Sequence, residues 1–236
     1  MKKICVINPN TSTSMTNNID KVAKSIASKD TEVLSINPKF GPESIEGYYD
    51  EAFCIPGIIS EIRANPEYDA YIVACFDDTG LDACRTITDK PVIGIGEASY
   101  HAANMLGGHF SVITTLKRSI PALKKNLKNY GLYDNCVSLS SVDIPVLELE
   151  SNLNLTEQKI EEKITYVRIR KLAMKAYKRG CRKWPPAPRA KALRRGKAPL
   201  HRSQPFHHSI LSALAEGLGG GKGGCLLYTS PSPRDS

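Results

Sequence analysis

The stretch Tyr71-Ile-Val-Ala-Cys75-Phe-Asp-Asp-Thr-Gly80-Leu-Asp-Ala-Cys-Arg85 decides how the chain is read. Tyr71 to Ala74 is a short apolar run of the kind a buried strand needs. Cys75 ends it, a turn of Asp77, Asp78, Thr79 and Gly80 follows, and a helical pattern begins at Leu81. Asp78 or Thr79 is placed to cap that helix by accepting from its free amides. Cys75 is therefore expected at the carboxyl end of a strand facing a helix start, where open α/β sheets bind ligands. Backbone amides and the helix dipole favour an anion there, a thiolate included, while the carboxylates of Asp77 and Asp78 oppose one by charge. In isolation a buried structural role is the simpler reading of Cys75, because free cysteine is among the most buried residue types.

The flanking sequence repeats the same unit. Upstream, Lys3 to Ile7 reads as a strand and Asn8-Pro9-Asn10-Thr11-Ser12 as a polar turn, with a helix to about Ser28 that Thr11 or Ser12 can cap. That turn is either a simple cap or an anion site, but it lacks the glycines and Lys-Ser/Thr of a phosphate loop. Thr31 to Ile36 is a second strand. Residues 37–49 form a Pro- and Gly-containing loop carrying Phe40, Tyr48 and Tyr49, suited to a lid or to an ordered connection. Asp50 to Ala64 reads as a helix, with Pro56 marking its kink or start. Downstream come strands over Pro91–Ile95, His109–Thr114 and Cys136–Leu139. Helices are expected over Glu97–Leu106 and Ser119–Tyr130, and from about Thr156. Such alternation implies parallel sheets with right-handed crossovers. Polar turns after the first, third and fifth strands carry Asn10 and Thr11, Cys75, and Thr114 and Thr115, and can share one edge. His101 and His109 have no partner at ligand spacing and read as structural.

Composition narrows the class. The 236 residues suit one large domain or two small ones. No apolar run reaches the ~20 residues of a membrane span, and the N-terminus reads as a first strand rather than a signal peptide. Seven cysteines are scattered without a Cys-x-x-Cys pair, which suggests neither a zinc site nor a disulfide framework and favours a reducing cytoplasm. The net charge of +8 is unevenly shared. Residues 1–166 hold 16 Lys and Arg against 22 Asp and Glu, whereas residues 167–236 hold 16 against 2. The part that reads as folded is acidic, so a nucleic-acid footprint is confined to the last third.

Several motifs in order carry a resemblance. Ile7-Asn-Pro-Asn-Thr-Ser12, Ser44-Ile-Glu-Gly47, Ala74-Cys-Phe-Asp-Asp-Thr-Gly-Leu81, Pro91-Val-Ile-Gly-Ile-Gly-Glu-Ala98 and Ser111-Val-Ile-Thr-Thr-Leu116 together resemble the hydantoin/allantoin racemase branch of the aspartate/glutamate racemase superfamily, over about residues 1–165. The resemblance implies an α/β fold of two similar parallel-sheet lobes, residues 1–95 with Cys75 and residues 96–166, the second incomplete. It implies inversion of the carbon next to a carbonyl of a hydantoin-like substrate by two cysteines, with no cofactor and no metal. One thiolate would remove the α-proton and a second thiol would return one from the far face. Cys75 matches the first family cysteine, and Asn10, Thr11, Asp77, Thr79, Gly80, Thr114 and Thr115 match positions around the substrate. The implied partner is a small molecule rather than nucleic acid or membrane, and a homo-oligomer is left open. An aspartate or glutamate racemase, a related one-cysteine decarboxylase and a non-catalytic ligand-binding protein are the competing readings.

The family's second cysteine comes late, in a Gly-Cys turn after an apolar strand. Here Gly180-Cys181 stands at a suitable distance, but Lys171 to Gly180 is basic and holds no strand. Cys181 is thus the candidate second cysteine and equally a chance one. Residues 167–236 read as a basic, Pro- and Gly-rich tail, disordered or non-native, ending in Cys225-Leu-Leu-Tyr-Thr-Ser-Pro-Ser-Pro-Arg-Asp-Ser236, which resembles translated adaptor sequence. A genuine basic tail for nucleic acid or acidic membrane is the alternative.

Overall fold

A computed structural model describes residues 1–151 and 153–178 and the strand Leu226–Thr229. Two sheets organise it. The first has the order β2-β1-β3-β4, built from β1 (Lys2–Ile7), β2 (Thr31–Ile36), β3 (Ala70–Val73) and β4 (Val92–Gly94), all parallel. The second has the order β6-β5-β7, with β5 (Phe110–Thr114) parallel to β6 (Cys136–Ser141) and antiparallel to β7 (Leu226–Thr229). The helices are α1 (Thr13–Ile26), α2 (Tyr48–Ala64), α3 (Leu81–Arg85), α4 (Ile95–Gly107), α5 (Ile120–Asn129), α6 (Glu148–Ser151) and α7 (Leu153–Lys178). The alternation expected from the sequence is present, and β2 falls on the residues anticipated for it.

The period of two in β1 explains why helices cover both faces of the first sheet. Cys5 and Ile7 point into a core completed by Cys54, Ile58 and Ile62 of α2, Tyr71 and Val73 of β3, and Leu81 and Cys84 of α3. Val6 points the other way, onto Ile19 and Ala23 of α1. Pro56 lies inside α2 without ending it. The second lobe has its own core of Tyr100 and Ala103 from α4, Phe110 and Val112 from β5, and Leu123 and Leu127 from α5. Tyr100 stacks on Phe110 at 6.0 Å between ring centroids.

The helix expected from about Thr156 extends past residue 166, and one strand, not anticipated from the sequence, lies wholly beyond it. The helix α7 continues to Lys178, consistent with the strong helix formers in Lys171-Leu-Ala-Met-Lys-Ala. The strand β7 pairs Leu226 to Thr229 with Ile113 to Phe110. Cys181 lies outside the described residues, as do 179–225 and 230–236. Among the described residues no helix is long and apolar enough to cross a membrane.

Packing of the second lobe sets a measurable cost. Leu123 is fully buried, whereas Met105 at the end of α4 is 80% exposed. Leu123→Ala is expected to lower stability in urea unfolding by about 2–5 kcal/mol, and Met105→Ala to change it by less than about 0.5 kcal/mol.

Candidate functional site

The strands β1 and β3 are neighbours, Ile7 standing opposite Val73, and the Ala74 N–H reaches the Ile7 carbonyl at 2.8 Å. The turns that follow them therefore leave the sheet side by side. The first is held by buried amides. Asn8 Nδ2 donates to Asn10 Oδ1 at 2.8 Å and to Thr16 Oγ1 at 3.0 Å, and Asn10 Oδ1 also accepts the Ser12 N–H at 2.9 Å. Ser12, one of the two anticipated caps, accepts the Met15 N–H of α1. Thr11 is committed to the loop ahead of α2, its N–H and its hydroxyl both directed to the Pro42 carbonyl, at 3.0 and 3.3 Å.

The second turn carries Cys75, whose thiol is half-buried. Its three neighbouring side chains go to three cores: Ala74 packs with the α1 face, Cys75 with the α2 face, and Phe76 with the second lobe. The Phe76 ring meets Tyr100 edge-on at 5.2 Å. The sulfur lies 3.4 Å from Thr79 Oγ1, and the backbone N–H groups of Asp77 and Thr79 stand where they favour its thiolate. Gly80 follows at a φ of 72°, a left-handed conformation that suits glycine, and a Cβ there would press on Ile55 at 3.1 Å. Cys84, by contrast, is a fully buried member of the first core.

One expectation for this turn is overturned. Neither Asp78 nor Thr79 caps α3, which starts at Leu81 with Gly80 at its N-cap and without a side-chain cap. Asp78 instead accepts from the first turn of α4, from Gly96 N–H at 2.9 Å and Glu97 N–H at 2.7 Å. With a φ of 50° at Asp78 the carboxylate is turned away from α3 toward the second lobe.

The second lobe meets the turn through residues that the sequence did not single out. Asn126 of α5 donates to the Asp77 carbonyl at 2.7 Å, and the Ser119 hydroxyl stands where it favours the ionised Asp77 carboxyl. Ser119 lies just beyond Thr114 and Thr115, which are buried at the end of β5 and whose carbonyls take the N–H groups of Val142 and Ile144. The loop from Asn37 to Gly47 closes this side of the cleft. Glu46 pairs with Arg118, accepts the Val146 N–H at 2.9 Å, and offers its carbonyl to the Ser119 hydroxyl. The structure thus unites Cys75, Asp77, Thr79 and Gly80 in one turn, starts the turn of Asn10 and Thr11 from the neighbouring strand, and buries Thr114 and Thr115 at the end of β5 in the second lobe. Ser119, Asn126 and Tyr130 carry no local motif, because the partners of these bonds lie 49 to 73 residues away.

Electrostatics at the turn are opposed. Burial, and then the facing charge of Asp77, push the Cys75 thiol pKa well up, while the Thr79 hydroxyl and the two backbone donors act to stabilise the thiolate. Cys5 and Cys54 are pushed up to about 12 and Cys84 to about 11, in each case chiefly by burial. Asp77 is pushed up to about 7 by burial first, then by the charges of Glu51 and Asp78, with Ser119 opposing. The folded state therefore binds the Asp77 proton more tightly than the unfolded chain does. The favourable contribution is complete below the unfolded carboxylate range near pH 4 and is lost as pH rises to about 7. Asp77→Asn is expected to remove that slope, worth on the order of 1 kcal/mol per pH unit inside the window. The variant should match the wild type near pH 4 and exceed it in stability at pH 8, measured by urea unfolding across pH.

Comparison with known proteins agrees with this geometry. Residues 4–175 match the Asp/Glu/Hydantoin racemase family. The chain is 45% identical over 150 residues to a hydantoin racemase of Pseudomonas sp. (strain NS671), covering 63% of this chain and 60% of the relative. It is 40% identical over 163 residues to one from Rhizobium meliloti, covering 68% of each. The chain thus spans about three fifths to two thirds of the length of these relatives. An allantoin racemase from Klebsiella pneumoniae superposes with a TM-score of 0.68 at 40% identity, over 70% of this chain and 69% of that one. With a cysteine-bearing turn at the carboxyl end of β3, closed over by a second α/β lobe, and with a family match over most of its length, the chain belongs to the Asp/Glu/hydantoin racemase family.

Proposed function

We propose that the chain carries the machinery of a cofactor-independent racemase that inverts the carbon next to a carbonyl in a hydantoin-like ring, either a 5-substituted hydantoin or allantoin. The observation that carries this reading is Cys75 itself, a partly exposed residue at the carboxyl end of β3 with the Thr79 hydroxyl 3.4 Å from its sulfur. Identities of 45% and 40% to hydantoin racemases support the substrate class.

In this reading the Cys75 thiolate takes the α-proton. The C–H bond breaks, the S–H bond forms, and the electron pair moves onto the carbonyl oxygen as an enolate. A second thiol on the opposite face, for which Cys181 is the candidate, gives its proton to the carbon as the enolate electrons return. The two groups need comparable proton affinities in different local fields. Asn10, Thr11, Asp77, Thr79, Gly80, Thr114 and Thr115 are the positions that this reading sets around the ring, with the Thr79 hydroxyl 3.4 Å from the Cys75 sulfur. Five described cysteines are free, which supports a reducing compartment such as the cytoplasm.

Loss of optical rotation tests the reading. Cys75→Ser is expected to lower racemisation of a 5-substituted hydantoin or of allantoin by about 10²–10⁴-fold, because a serine hydroxyl is a far weaker acid than a thiol and a poor base near neutral pH. Cys84→Ser is expected to lower the thermal midpoint through a buried hydroxyl with little change in rate per folded molecule. Turnover of free aspartate but of no hydantoin would favour the amino-acid racemase reading. Binding without turnover would favour a non-catalytic ligand-binding protein.

A further inference from the structure

Asp78 is one of two non-glycine residues with positive φ among the described residues, and it sits in the middle of the Cys75 turn. Such conformations persist where the surroundings over-determine them. Here the side chain is 6% exposed and fully engaged. Oδ1 accepts the Gly96 N–H, and Oδ2 accepts both the Glu97 N–H and the Tyr130 hydroxyl, the last at 2.8 Å. The approach to α4 is close enough to require glycine, since a Cβ on Gly96 would stand 2.6 Å from Asp78 Oδ2. The turn is also tied internally, with the Asp78 N–H bonded to the Cys75 carbonyl at 3.0 Å and the Leu81 N–H to the Asp78 carbonyl at 3.1 Å.

The hydroxyl 3.4 Å from the Cys75 sulfur belongs to Thr79, and the backbone N–H groups that favour its thiolate belong to Asp77 and Thr79, the residues on either side of Asp78. The Thr79 N–H lies on the peptide that the Asp78 ψ orients, and the Asp78 φ sets how the chain enters from Asp77. A change of conformation at Asp78 therefore disperses donors that now converge.

We propose that Asp78 is a positioning residue, whose bonds to the first turn of α4 and to Tyr130 hold the Cys75 turn so that the donors of Asp77 and Thr79 meet at the sulfur. Its consequence for catalysis rests on the reading of Cys75 as a proton-transfer group, but its effect on the thiol can be measured without substrate. Position and charge act in opposite directions here. Removing the Asp78 carboxylate charge would by itself favour a nearby thiolate, whereas releasing the turn disfavours it.

The test is the rate at which iodoacetamide alkylates Cys75 in the full chain at one fixed pH, read by peptide mass mapping. Fully buried Cys84 serves as the internal reporter of unfolding. Asp78→Asn keeps a residue that tolerates the left-handed region and leaves one α4 amide without its acceptor. Tyr130→Phe removes one donor with no change of charge. Asp78→Asn is expected to slow alkylation of Cys75 by about tenfold, the equivalent of one pKa unit, and Tyr130→Phe to slow it by a smaller factor, with Cys84 still protected in both. Unchanged or faster labelling of Cys75 with Cys84 protected would overturn the proposal. If Asp78→Asn exposes Cys84, Tyr130→Phe alone decides. Where the wild type racemises hydantoins, both variants should lose kcat with little change in KM. If the wild type does not racemise them but the labelling rates shift as expected, the positioning role stands and the functional reading fails.

Discussion

The structure depends on the way one six-residue turn is fastened between two lobes. A left-handed residue other than glycine costs about 1–2 kcal/mol. Against this, Asp78 gains two bonds from α4 amides and one from the Tyr130 hydroxyl, each worth about 0.5–1.5 kcal/mol. Phe76 adds the burial of an aromatic side chain in the second-lobe core, worth about 1.5–3 kcal/mol. These contacts hold the turn in a conformation that its local sequence would not choose, although burial raises the Asp78 carboxyl pKa to about 7. The helix α4 is the element that makes this possible, because Ile95 packs with the first lobe while Tyr100 and Ala103 pack in the second.

That fastening explains why the thiol of Cys75 differs from the other described cysteines. Cys5, Cys54 and Cys84 are inert fillers of an apolar core, their proton affinity raised mainly by burial. Burial also raises the proton affinity of Cys75, and Asp77 faces it as well, yet the Thr79 hydroxyl and the backbone N–H groups of Asp77 and Thr79 act in the other direction. A neutral Asp77 relieves the charge repulsion, and its affinity for a proton is raised toward neutrality by burial and by Glu51. Opposed influences of this kind on one buried thiol are common where a group must exchange protons.

Much of this was legible in the sequence, and the exceptions share a cause. Apolar runs and polar turns located β1, β2, β3 and β5 and placed Cys75 at a strand end, because those signals are local. Ser12 was one of two equally suitable caps, and the structure chose it. The capping partner of Asp78 was misassigned because α3 begins three residues away, whereas the amides that Asp78 serves are 18 and 19 residues on. Likewise the Glu46 contacts with Arg118 and Val146 span the cleft and leave no periodicity to read. The continuation of α7 to Lys178 was masked by charge, since the same lysines that look like tail are good helix formers. Cys181, the candidate second base, lies outside the described residues, so the far face of the site rests on sequence alone.

The central claim is that the Cys75 sulfur exchanges a proton with the carbon next to a carbonyl. Exchange of that carbon's hydrogen for deuterium, followed by proton NMR with the full chain and a 5-substituted hydantoin in heavy water, tests it most directly. The account predicts loss of the α-proton signal well above the uncatalysed rate, and none above that rate once Cys75 has been blocked by alkylation. Persistence of the signal while the hydantoin is bound, or exchange that survives the blocking of Cys75, would contradict it.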